Sequence, residues 1–376
     1  MLFGLTRQAN LALTALLLFV LIFIFSTDNT AAVQERYAST GTGSLSDTQN
    51  ATLGFQRIFV LSLPERTDKR DGIALGASLS GFQVEFVDGV RGEQMSPKAI
   101  PQNWEATQSP ATLGCWRGHM TIALKMVTED IKSVLIFEDD ADWDVMFKSQ
   151  LYEFAKGSQI LQERQRPHIS PYGDDWDILW LGHCGITSRT TEDQLYYTIP
   201  DDPTMEPIDQ VYGSQPDRTA PVLRSNKNRL VFRGVSGRCL TAYALSLRGA
   251  QRLIAKQMSS ATTIDRAVSG LCSQKREDFN CIAPWPTFVG TFKDAGDVSR
   301  DSDRVDVRGE TRKIATTRDI TYPVRLNIDR LLGGNLPFRA QWTEEAGTLP
   351  ELQRDIKIPL GHAEWVTKDQ YEVQST

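Results

Sequence analysis

The chain has little positive charge, few histidines and no paired-cysteine motif. Its 41 Lys and Arg residues are outnumbered by 47 Asp and Glu, for a net charge of −6. Nucleic-acid binding needs a clustered basic footprint, so its absence excludes that partner class as the main one. Four histidines and five cysteines with no CxxC pair exclude a structural zinc site of the usual ligand spacing. No internal repeat and no long low-complexity tract occurs. What remains is an ordinary globular composition, 40% hydrophobic and 23% charged. The length of 376 residues suffices for one large domain or two smaller ones.

Long hydrophobic runs are also scarce, with one exception at the N-terminus. Residues 11–25 (LALTALLLFVLIFIF) are almost wholly apolar, preceded by Arg7 and followed by Asp28. A bilayer-spanning helix needs about 20 such residues, and Ala9, Asn10 and Ser26 extend the run toward that length. Two readings compete. A cleaved signal peptide would use a small-residue site such as Thr30-Ala31-Ala32. An uncleaved anchor would keep the basic flank in the cytosol and the body in the lumen. The length of the run favours the anchor. The expected organisation is a cytosolic tail (1–8), a transmembrane helix (9–26) and a flexible stem (27–54) rich in Ser, Thr, Gly, Gln and Asn. The stem carries the sequon Asn50-Ala51-Thr52. In an oxidising lumen, Cys272 could pair with Cys281 and Cys184 with Cys239, leaving one thiol over; the connectivity is open.

The most informative stretch is residues 133–144, SVLIFEDDADWD. An apolar strand, Val134 to Phe137, runs into Glu138, Asp139, Asp140, Asp142 and Asp144. Carboxylates this close repel one another unless a cation sits among them. Ligands of open α/β sheets bind at the carboxyl ends of strands, so this strand end is expected to be a metal and phosphate site. The surrounding pattern supports such a sheet. RIFVLSL (57–63) is a strand stopped by Pro64, a weak helix follows, and QVEFV (83–87) is a second strand entering Asp88-Gly89. That is a βαβ opening. Leu113, Trp116, Met120, Ala123, Leu124, Val127 and Ile131 form a helical stripe that leads into the acidic strand. DILWL (177–181) is a further buried strand, CLTAYAL (239–245) another, and Ser246 caps a following helix. Residues 186–237 are polar and are expected to be a loop insertion.

Seven segments in order, VLSLPERTDKR, FVDGVRG, LGCWRGHM, VLIFEDDADW, WDILWLG, TAYALSLRGAQRLI and IDRAV, resemble glycosyltransferase family 25, the lipopolysaccharide-type and procollagen galactosyltransferases. The resemblance covers residues 59–303. One departure is Gly118, where the family usually has Ser before the His. The resemblance implies a GT-A-like, Rossmann-type mixed sheet flanked by helices; the domain is expected over residues 55–310, with 311–376 as a C-terminal extension. It also implies a UDP-sugar donor, often UDP-galactose, a divalent cation such as Mn²⁺, and transfer with inversion to a glycan or glycoprotein hydroxyl. Localisation follows as a type II Golgi or endoplasmic reticulum membrane protein with a lumenal catalytic domain.

On this reading Asp139, Asp140 and Asp142 hold the metal, with Glu138 orienting a ligand behind them. Arg66 and Arg70 pair with the diphosphate or the uracil side, and Asp88 with the ribose or base. His119 belongs to the donor pocket, and Asp265, at a helix start, is the general base. Each has a plainer use: a mixed-charge surface turn, an Asp-Gly turn, a satisfied helix histidine and an ordinary helix-start aspartate. His183, in LGHCG, stands at a site-like strand end. Trp143, Trp180 and Trp285 are candidates for sugar stacking or for the core. The rival reading is an inactive lumenal binding relative that keeps the fold without catalysis. A glycosidase is excluded, because adjacent aspartates cannot flank a glycosidic bond at the separation that reaction needs.

Overall fold

The computed structural model describes residues 43–163, 167–259, 261–304, 307–334, 337–342 and 351–371. The expected tail, the anchor helix and most of the stem lie outside these residues. No helix among the described residues is long and apolar enough to cross a membrane.

Helices flank a central mixed sheet. The βαβ opening forms as expected: β1 (Arg57–Ser62), α1 (Thr67–Leu79) and β2 (Glu85–Asp88), with β1 and β2 parallel. The striped helix is α2 (Pro110–Thr128), started by Pro110 and by the Ser109 hydroxyl accepting from the Thr112 amide at 3.2 Å. It delivers β3 (Ser133–Glu138), which lies parallel to β1 on its other side. A short strand β4 (Ala141–Trp143) and α3 (Phe147–Leu161) follow, then β5 (Ile178–Gly182). Next come β6 (Ile186–Ser188), β7 (Gln194–Ile199), β8 (Arg229–Gly237), β9 (Ala242–Ser246), α4 (Leu247–Ser259), α5 (Ile264–Cys272) and β10 (Cys281–Trp285). The last elements are β11 (Val289–Lys293), β12 (Gly296–Asp297), β13 (Thr311–Arg312), β14 (Thr316–Thr317), α6 (Ile328–Gly333) and β15 (His362–Val366).

The main sheet runs β15-β7-β8-β10-β5-β9-β3-β1-β2, with β6 attached to β8. Strand β9 is antiparallel between β3 and β5, which makes the sheet mixed. Both faces are covered, which explains why its central strands read as unbroken apolar runs. Alternation divides them: Phe59, Val134 and Ile136 face one core with α2 and α4, while Ile58, Val60, Leu135 and Phe137 face the other with α3.

Three expectations are corrected. Residues 186–237 are not simply an inserted loop: they carry β6, β7 and β8, and all six residues of β7 are buried. Strand β7 pairs with β8 and with β15, far along the chain, so local sequence carried no sign of its partner. The stretch past residue 310 is no appended extension, because β14 pairs with β11 and β15 closes the main sheet. The stem is shorter than expected, since residues 45–49 form a 3₁₀ turn and Leu53 is fully buried. Both candidate disulfides form, Cys184–Cys239 and Cys272–Cys281, leaving Cys115 free.

Buried carboxylates tie the C-terminal segment down. Asp144 accepts from the amides of Met146 at 2.8 Å and Tyr322 at 3.1 Å. Burial pushes its carboxyl up to about 7, against those amides. The folded chain therefore keeps a proton there, between about pH 4 and about pH 7, that the unfolded chain has released. Stability from this site is full below that window and falls as pH rises through it, by at most about 1.4 kcal/mol per pH unit. Urea unfolding across this range should show the fall in the wild-type chain and its loss in Asp144→Asn, measured as the difference between the two.

Candidate functional site

The register of three parallel strands places the site. Leu61 of β1 pairs with Glu138 at the end of β3, and Ser62 pairs with Asp88 at the end of β2. The carboxyl ends of these strands thus share one edge, and a cavity of about 300 Å³ opens there. Glu138, Asp139 and Asp140 line it together with Lys69, Cys115, His119 and Asp265. Ser302, Asp303 and Arg304, from a segment the sequence left unread, complete the wall.

Charge at the tip of β3 is only partly compensated. Lys69 Nζ lies 3.0 Å from Asp139 Oδ1 and 3.3 Å from Asp303 Oδ2. Burial pushes the Asp139 carboxyl up, and the Lys69 ammonium works against that. Asp140 is pushed further, to about 7, by burial and then by the charge of Glu138, with Lys69 offsetting part. Two carboxylates held where their charge is disfavoured form an oxygen-donor set suited to a hard divalent cation.

The structure separates the remaining candidates. Asp142 is 1% exposed and absent from the cavity lining. Its carboxylate accepts from Thr317 Oγ1 at 2.7 Å and from the amides of Trp143 at 2.9 Å and Arg325 at 3.3 Å. Its oxygens are committed to holding the C-terminal segment, so it does not join Asp139 and Asp140. Arg66 is held by Asp68 and Asp303, and Arg70 by Asp88 and the Ser62 carbonyl; none of Arg66, Arg70 and Asp88 lines the cavity. Lys69, between the two arginines, does line it, as do Arg91 and Arg304 from other segments. Helical phase decided this: α1 begins at Thr67, and one residue of the charged turn faces the cavity.

His119 is 1% exposed, with Nδ1 3.0 Å from the Tyr243 hydroxyl and Nε2 3.4 Å from Glu138 Oε1. Burial opposes its charge, but Tyr243, Cys115 and Glu138 around it raise its pKa well above the ordinary value. Asp265, at the start of α5, accepts from Thr263 Oγ1 at 2.8 Å and from the Arg266 amide at 2.9 Å, both on Oδ1. His183 is structural: Nε2 meets the Pro284 carbonyl at 2.9 Å, Nδ1 accepts from Gly185, and burial lowers its pKa to about 4. Trp143, Trp180 and Trp285 are each at most 1% exposed and belong to the core.

Sequence reasoning missed Lys69, Cys115 and Asp303. The spacing of Cys115 and His119, one helical turn apart in LGCWRGHM, was the available signal for the second.

These features define a carboxylate-lined ligand cleft at the strand ends of a mixed α/β sheet. The description "Glycosyltransferase family 25 (LPS biosynthesis protein)" matches residues 55–268, and the chain belongs to that family. It is 24% identical over 227 residues to procollagen galactosyltransferase 1 of Danio rerio, covering 56% of this chain and 30% of that one. It is 20% identical over 188 residues to procollagen galactosyltransferase 2 of Homo sapiens, covering 44% and 28%. It is also 26% identical over 142 residues to inactive glycosyltransferase 25 family member 3 of Homo sapiens, covering 35% and 22%. The chain thus spans less than a third of the length of these relatives. Among solved structures, mannose-1-phosphate geranyltransferase from Thermus thermophilus overlaps 60% of this chain and 57% of its own at 7% identity and a TM-score of 0.20, too slight a likeness to bear on function.

Gly118 has a packing reason. A Cβ there would sit 2.8 Å from both methyl carbons of Leu61. At Gly114, one turn earlier, a Cβ would sit 2.2 Å from the backbone carbonyl of Val90. A leucine tip can turn aside; a backbone carbonyl cannot without moving its strand connection. Gly114→Ala should therefore lose about 1–3 kcal/mol in chemical denaturation. Gly118→Ser should lose less, because only Leu61 has to adjust.

Proposed function

We propose that this protein is a divalent-cation-dependent glycosyltransferase of GT-A type, moving a hexose from a UDP-sugar to a hydroxyl of a glycan or glycoprotein with inversion. The single observation that carries this reading is the cavity at the ends of β1, β2 and β3, where Asp139 and Asp140 stand beside one ammonium. The family membership and the names of the two galactosyltransferase relatives support galactose as the sugar.

Asp139 and Asp140 would hold the cation, Mn²⁺ by family expectation. When bound, it offsets the charge that develops on the departing diphosphate. Lys69 adds a fixed positive charge to the same wall. Asp265 acts as general base, taking the proton of the acceptor hydroxyl through Oδ2, since its two hydrogen bonds fall on Oδ1. His119 Nε2 faces Glu138 Oε1 at 3.4 Å, behind the two aspartates. The anchor and the lumenal setting remain part of the proposal and rest on the apolar run at residues 11–25.

A second reading, nucleotide-sugar binding without turnover, is favoured by one feature: Asp139 is already paired with Lys69 at 3.0 Å. A screen of UDP-sugars by UDP release, on the full-length chain with and without Mn²⁺, separates the two. Turnover is expected with at least one donor, and binding with no turnover on any acceptor supports the second reading. Asp139→Asn with Asp140→Asn should lower turnover by at least 10²–10³-fold, on the order of the loss when a transition-state charge partner is removed. Asp265→Asn should lower it by roughly 10²–10⁴-fold, while Asp142→Asn should reduce stability and spare the turnover of the folded fraction. Unchanged turnover in the Asp139/Asp140 double variant would sink the cation assignment.

A further inference from the structure

A second ligand set lies in the same cavity wall, separate from Asp139 and Asp140. The Cys115 thiol, a His119 ring nitrogen and a Glu138 carboxylate oxygen lie within 4.8 Å of one another. Cys115 and His119 are one helical turn apart on α2, so one helix face presents both. Glu138 reaches them from the end of β3.

The imidazole is incompletely satisfied. Tyr243 engages Nδ1, while Nε2 is buried without a hydrogen-bond partner, facing Glu138. An orphaned buried polar nitrogen costs folding free energy and calls for an explanation. A cation bound to Nε2 satisfies it.

The donor types select the cation. Thiolate, imidazole and carboxylate together suit a borderline-soft ion, whereas Mn²⁺ and Mg²⁺ prefer all-oxygen sets. Tetrahedral ligands at about 2.0–2.3 Å from an ion lie roughly 3.3–3.8 Å apart. The three ligand atoms, within 4.8 Å of one another, would have to draw together by about 1 Å to reach that spacing. All three residues line the cavity, so a fourth position would open toward it.

We propose that Cys115, His119 and Glu138 form a site for a thiophilic divalent cation of the zinc class, oriented by the Tyr243 hydroxyl on His119 and open on one side to the cavity. The proposal stands whether or not the cavity transfers a sugar. An ion seated there would couple zinc to whatever ligand the cavity holds.

The test uses Co²⁺ as a spectroscopic probe on the full-length chain. The other four cysteines are tied in disulfides, so a sulfur-to-cobalt charge-transfer band can arise only from Cys115. Expected results are a near-ultraviolet band that saturates stoichiometrically, displacement by Zn²⁺, and survival of the band in Asp139→Asn. Cys115→Ser should abolish it, and Tyr243→Phe should weaken binding by roughly 10–100-fold, as loss of a partner behind a ligand does. Glu138→Gln, on a partly exposed side chain, should also weaken binding and serves if Cys115→Ser does not fold. No band in the wild-type chain, its survival in Cys115→Ser, or unchanged affinity in both Glu138→Gln and Tyr243→Phe would overturn the proposal. Loss of the band in Asp139→Asn would overturn the separation of the two sites.

Discussion

The negative charge at the tip of β3 is the constraint to which the rest of the site responds. A strand whose Val134 to Phe137 are fully buried cannot place Glu138, Asp139 and Asp140 at its end without help. Lys69 meets Asp139 from α1, and His119 meets Glu138 from α2. Asp140 is pushed to about 7 by burial and then by the charge of Glu138, with Lys69 offsetting only part. Further along, Asp142 and Asp144 face the same problem and solve it by anchoring the C-terminal segment through Thr317, Arg325 and Tyr322. One acidic run therefore does two jobs: it opens a ligand cleft on one side and fastens the chain on the other.

The cavity depends on close backbone approach as much as on charge. Helix α2 carries Cys115 and His119 into the wall only because Gly114 lets the Val90 carbonyl come near and Gly118 admits Leu61. The serine expected by family pattern at position 118 would have displaced Leu61, which lines the cavity. Its absence is thus explained by packing at the floor of the site, and the hydroxyl it would bring is one the site lacks.

Much of this was legible beforehand. The strands around residues 57–62 and 133–138, the helical stripe over 110–128 and the parallel opening follow from periodicities that local residues set by themselves. The acidic strand end announced a cleft for the same reason, since no packing argument accommodates such a run of carboxylates. Reading failed where a partner lay far away. Strand β7 sits among Asp, Pro and Ser residues, and it is buried between β8 and β15, which lies far along the chain. Choosing among Arg66, Lys69 and Arg70 failed because helical phase sets which side chain faces inward, and the start of α1 has no side-chain cap to mark it.

The sequence by itself determined the class of sheet, the strand end that carries the carboxylates and the family, because these rest on short-range patterns and on ordered motifs. Tertiary structure alone decided which carboxylates face the cleft. Asp139 and Asp140 are turned to it, while Asp142, two residues on, pairs through β4 with β11 and gives its oxygens to Thr317 and Arg325. Composition cannot distinguish neighbouring aspartates of one run. Their roles separate only when strand pairing fixes the direction of each side chain and distant segments arrive to hydrogen-bond one of them.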